Sequence, residues 1–96
     1  MPSKYNCLYV LSCENKTYLK IGICRENGVQ KRIKHLQTGN PHKIELEWVE
    51  ENRANAHKAE NYLHYCFQDY KAMGEWFKGI TLKDIRIKLM LFMSQD

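Results

Sequence analysis

A chain of 96 residues holds one domain and no second core, and an apolar fraction of 44% beside 27% charged residues excludes a disordered or low-complexity protein. Cysteines at positions 7, 13, 24 and 66 include no C-x-x-C pair, so their spacing suggests neither a zinc knuckle nor a redox dithiol, and no apolar run reaches bilayer length. The formal charge of +4 permits an anionic partner.

That charge is concentrated. Between Lys20 and Lys43 stand Lys20, Arg25, Lys31, Arg32, Lys34 and Lys43 against the single acid Glu26, with His35 and His42 nearby. This segment is the expected phosphate-binding face. Met1 to Asn6 lacks the apolar stretch of a signal peptide, so an intracellular protein with free thiols and no membrane partner is expected.

In chain order, Cys7 to Cys13 and Thr17 to Cys24 are apolar-rich runs separated by Glu14-Asn15-Lys16, a pattern that predicts a β-hairpin. Gly28 breaks it. Val29, Ile33 and Leu36 then recur at i, i+4 and i+7 until Thr38-Gly39-Asn40-Pro41 stops the chain, predicting a short helix whose outer face carries Lys31, Arg32, Lys34 and His35. Ile44, Leu46 and Trp48 alternate with Glu45 and Glu47, predicting a third strand with one buried and one acidic face.

From Asn52 to about Tyr70 there is no Gly or Pro, and Ala56, Ala59, Leu63, Phe67 and Tyr70 form a stripe at helical spacing. This is the longest predicted helix. Gly74-Glu75-Trp76-Phe77 reads as a short extended piece ending at Lys78-Gly79. Thr81-x-x-Asp84 is a capping signal, and Leu82, Ile85, Leu89 and Phe92 stripe a terminal helix over about 81–93 that packs on the sheet. The expected architecture is a single α+β domain over residues 1–96. Its small, mainly antiparallel three-stranded sheet is flanked by helices in the order β-β-α-β-α-α.

Four pieces of this chain form a pattern. Cys7-Leu8-Tyr9 lies on the first strand, Lys20-Ile21-Gly22 on the second, Arg32 in the following helix and Glu60 in the long helix. In this order they resemble the landmarks of the GIY-YIG nuclease superfamily. The likeness is closest to the short branch common in phage and mobile-element proteins, where the second motif reads KIG and a G-E-W-F segment follows the Glu helix. The run from Arg32 through Leu36-Gln37-Thr38-Gly39-Asn40-Pro41, Ala59-Glu60 through Leu63-His64, and Gly74-Glu75-Trp76-Phe77 all suit that branch. The resemblance covers residues 7 to 77.

What the resemblance implies is a GIY-YIG-like fold and hydrolysis of a DNA phosphodiester with one divalent cation. Glu60 would hold Mg2+ or Mn2+, Arg32 would clamp the scissile phosphate, and Tyr9 would sit by the attacking water. The chemistry is reasonable because a phosphodiester's charge repels nucleophiles, and a cation with a guanidinium neutralises what develops in the transition state. Lys20 stands where much of the superfamily has a second Tyr, and would support the phosphate. No late Asn falls at a matching place, so Glu75 and Trp76 either replace it or are structural.

Other residues are read from spacing. His57, Glu60 and His64 fall at i, i+3 and i+7 and can line one helix face. Three ligands on one helix leave a coordination shell open, so a tight structural zinc site is not expected there. The basic helix face offers Lys31, Lys34 and His35 as candidate nucleic-acid contacts, and the resemblance adds Lys20 and His64. Structural readings stand beside these: Tyr9 as a core residue with its hydroxyl at the rim, Glu60 as a salt-bridge partner, and the basic helix as a solvated face.

Three function classes follow. The first is a metal-dependent DNA endonuclease or nuclease-like domain, which would need a homodimer, a protein partner or structural selectivity to avoid cutting indiscriminately. The second is a catalytically inactive nucleic-acid-binding module on the same fold. The third is a small phage-type protein inhibitor whose contact surface is Glu45, Glu47, Glu50 and Glu51.

Overall fold

A computed structural model describes residues 5–51 and 54–94. The chain forms β1 (Tyr5–Cys13), β2 (Tyr18–Arg25), α1 (Val29–Gln37), β3 (Glu45–Glu50), α2 (Ala56–Cys66), a 3-10 turn (Gln68–Tyr70), β4 (Lys71–Met73), β5 (Trp76–Lys78) and α3 (Leu82–Met93). The fold is α+β, as expected. The strands lie in the order β3-β1-β2-β5-β4 and every pairing is antiparallel.

The sheet therefore has five strands where three were expected. The additional hairpin, β4 and β5, is built from two three-residue strands. Such strands are too short for alternation to register, and β4 is exposed throughout; cross-strand pairing, not periodicity, makes them strands. Gly74 joins them at φ +56°, in the left-handed region that a residue without Cβ enters freely.

Helices cover both faces of the sheet, which explains why β1 reads as a nearly continuous apolar run. On one face Leu8, Val10, Leu19 and Ile21 pack with Ala59, Leu63 and Phe67, and with Ile85 and Leu89 of α3. On the other, Cys7, Tyr9, Leu11 and Cys24 pack with Val29 and Ile44, bordered by Ile33 and Leu36 of α1. The buried polar residue of β1, Ser12, donates its hydroxyl to Glu47 at 2.6 Å.

Two expectations are corrected by local geometry. In β3 the register shifts opposite Val10 and Leu11, so that Val10 faces Trp48 but Leu11 faces Leu46. The bulge breaks the simple alternation: Ile44 enters the α1-side core, Trp48 packs on the α2 side, Leu46 is 37% exposed, and Glu47 is partly buried against Ser12. In the long helix, α2 gives way to the 3-10 turn after Phe67, and Tyr70 is 48% exposed, so the apolar stripe ends at Phe67. The expected start of that helix at Asn52 lies outside the described residues.

The terminal helix is borne out. Thr81 accepts from the Asp84 backbone N–H at 3.1 Å while the Asp84 carboxylate accepts from the Thr81 N–H at 2.9 Å, a reciprocal cap. No helix among the described residues is long and apolar enough to cross a membrane.

Candidate active site

The site grows from one cross-strand pair. Tyr9 faces Gly22 across β1 and β2, and its ring lies over the glycine so closely that a Cβ at position 22 would stand 2.4 Å from the phenolic oxygen. Only a residue without a side chain admits the ring there. One helical turn into α1, Arg32 reaches down to the same oxygen, and its Nε donates to the Tyr9 hydroxyl at 3.3 Å. That leaves the outer NH groups of the guanidinium to meet an anion.

On the next inward position of β2, Lys20 has a side chain only 5% exposed, and its ammonium pairs with Glu75 at 2.8 Å. Its Nζ also lies 5.9 Å from the centre of the Trp76 ring. A lysine in this position is held by one strong acidic partner and one aromatic face.

β5 pairs with β2 from Tyr18 to Lys20 and ends there. Beyond that point side chains reach the strand edge. His64, whose ring stands edge-on to Phe77 at 5.0 Å, places Nε2 2.9 Å from the Ile21 carbonyl oxygen. A carbonyl only accepts, so Nε2 is the donor in this contact. Glu60, one helical turn before His64, and Glu75, just before β5, complete the cluster: one ligand atom from each of Glu60, His64 and Glu75 lies within 4.8 Å of the others. His57 of the same helix is exposed and stands outside this group.

The electrostatics join the two halves. Burial pushes the Tyr9 hydroxyl above its ordinary pKa, against the opposing Arg32 hydrogen bond and charge, with Glu75 adding to the rise. The Tyr9 hydrogen bond strengthens the hold of Arg32 on its proton, and Glu75 acts in the same sense. Glu60 is raised by burial and by Glu75, although His64, His57 and Lys20 oppose the rise. For Glu75, burial acts upward but is outweighed by the Lys20 hydrogen bond and charge, with help from His64 and Arg32, which together hold the carboxyl low. Glu75 thus feels Lys20, His64 and Arg32 while acting on Tyr9 and Glu60.

The structure brings Tyr9, Arg32, Lys20, Glu60 and His64 into one electrostatic neighbourhood and adds Glu75 at its centre. The signal for Glu75 lay in the G-E-W-F segment, but its partners are remote in sequence, with Lys20 55 positions away. The basic face of α1 divides. Lys31, Arg32 and His35, with Arg25 of β2, line a groove of about 510 Å³ floored by Ile23 and Cys24. Lys34 instead borders a separate hollow with Gln30, Ile33 and Gln37.

Compared with known families, residues 6–89 match the family model described as the T5orf172 domain. No curated protein and no solved structure matches the chain.

Proposed function

The chain belongs to the T5orf172 domain family, a phage-linked family that points to a nuclease-like or DNA-processing domain, and from this premise we propose that it is a GIY-YIG-type endonuclease hydrolysing DNA with one divalent cation. The observation that carries this reading is the convergence of Tyr9, Lys20, Arg32, Glu60, His64 and Glu75 at one strand edge, beside a groove lined by Arg25, Lys31 and His35.

The donor set fits a divalent cation. Glu60 and Glu75 offer anionic oxygens of the kind Mg2+ and Mn2+ prefer, and a ring nitrogen of His64 would add a ligand that favours Mn2+ over Mg2+. When bound, the cation supplies a Lewis acid against the charge developing on the phosphate and a water of lowered pKa. Burial raises the Glu60 carboxyl, and a bound cation would favour its ionised form.

The chain's own residues do the rest. Arg32, tethered through Nε to Tyr9, presents its outer NH groups to a phosphate oxygen in a fixed orientation. Tyr9 holds its proton in the resting site and positions the attacking water through its hydroxyl. Lys20 keeps Glu75 ionised and places a second positive charge by the phosphate.

The test is cleavage of supercoiled, branched and single-stranded DNA with and without Mg2+ or Mn2+. The proposal expects metal-dependent cleavage that Glu60→Gln abolishes, and that Tyr9→Phe slows by about one hundredfold or more, the scale of a general acid or base contribution, while DNA binding persists. Cleavage by Glu60→Gln equal to the parent would contradict it. A parent chain that binds every substrate and cuts none would instead favour an inactive nucleic-acid-binding module, in which the Lys20–Glu75 pair is a stable end state.

A further inference from the structure

Three side chains of β2 that point to the α1 face mark three stations along one line. Lys20 belongs to the site, with Gly22 beneath Tyr9. Two residues onward, Cys24 floors the basic groove. Two residues back from Lys20, Tyr18 lines a different hollow, of about 560 Å³, with Leu36, Pro41, Ala72, Met73 and Trp76. Alternate residues of a strand are about 6.7 Å apart, the scale of one nucleotide in an extended strand.

The chemistry changes along that line. The groove beside Cys24 offers Arg25, Lys31, Arg32 and His35, and suits phosphates. The lining of the Tyr18 hollow contains no Lys or Arg; its acid, Glu14, is engaged by His42 at 3.2 Å. Its polar lining is Thr38, Asn40 and the Glu14–His42 pair, without the cationic side chains that crowd the groove. Beside these the hollow offers the rings of Tyr18 and Trp76 and apolar walls, and Trp76 joins it to the site, because Lys20 lies over the same ring.

We propose that this hollow receives an unpaired nucleobase of the strand whose phosphate meets Arg32, about two nucleotides from it because Tyr18 lies two alternate-residue steps from Gly22, so that the enzyme acts where the strand is single or leaves a duplex. The inference rests on the endonuclease reading and names its substrate form. A paired base cannot enter, since it is stacked between neighbours and bonded to its partner, whereas an unpaired base can stack on Trp76 or Tyr18. Stacking of this kind is tolerant of sequence, so selection is by structure rather than by base identity.

The test compares binding of a single-stranded oligonucleotide with that of a blunt duplex of equal length, in chelator, using a Trp48→Phe chain so that Trp76 is the remaining tryptophan. The single strand is expected to quench Trp76 and the duplex not to. Trp76→Leu should lower the ratio of single-strand to duplex affinity about tenfold, the scale of one lost base–aromatic stack. Met73→Glu, at a residue 78% exposed that lines the hollow, should lower that ratio in the same direction. Unquenched Trp76 with an unchanged ratio, in a chain that still binds duplex, would overturn the base pocket and leave the endonuclease reading standing. Binding of neither oligonucleotide would overturn both.

Discussion

Gly22 and Tyr9 form a pair in which each residue requires the other. An added methyl group at position 22 would stand 2.4 Å from the Tyr9 hydroxyl oxygen, and Tyr9 is 1% exposed. Gly22→Ala should therefore cost about 1–3 kcal/mol, the range of overpacked cores, and displace the phenol from Arg32. Thermal denaturation checks this: Tyr9→Leu combined with Gly22→Ala should cost less than the sum of the two single changes, and strict additivity would contradict the contact. Titration supplies a second prediction. Because the folded pKa of Glu60 is raised, its favourable contribution is present at low pH and lost as pH rises through that raised value. Glu75 is lowered, so its contribution is present above the ordinary carboxylate range and lost as pH falls. At neutral pH and without metal, Glu60→Gln should melt higher than the parent and Glu75→Gln lower, with the Glu60 difference vanishing in acid. Tyr9, Arg32 and Glu60 were legible as an ordered motif. Glu75 was not legible as the centre of the site, because only the folded chain brings Lys20, Arg32 and His64 to it.

Among the elements, those with several turns or long alternation were readable and the short ones were not. The β1–β2 hairpin, α1 and α3 match their patterns, since each buries enough side chains to impose a period. β4 and β5 carry three residues each, and the β3 bulge reverses a face through a register shift that leaves no local mark. Yet the unread hairpin is what positions the site: it stops pairing at Lys20 and thereby sets Glu75 at the open edge of β2. α3, by contrast, serves stability. Thr81→Ala removes the reciprocal cap and should cost about 1 kcal/mol, a fall in melting temperature of about 4–8 °C for a domain of this size. Measured DNA binding should be unchanged below that melting point; lost binding at low temperature would mean that α3 shapes the groove.

At the scale of the whole molecule, both faces of the sheet carry a buried cluster, and the α1 face also presents the candidate chemistry at its rim. α2 straddles the division, burying Ala59 and Leu63 while sending Glu60 and His64 around the strand edge. The basic groove, the Tyr9–Arg32 pair, the acidic cluster and the aromatic hollow lie in sequence along β2. The central claim is that the acidic cluster holds the cation, and calorimetric titration of the folded, metal-free chain with Mn2+ tests it without requiring turnover. The account predicts one Mn2+ per chain, binding that strengthens as pH rises through the raised Glu60 value, and at least about tenfold weaker binding in both Glu60→Gln and Glu75→Gln, the scale of a lost ligand or its support. No Mn2+ binding by the parent, or equal affinity in parent and both variants, would contradict it.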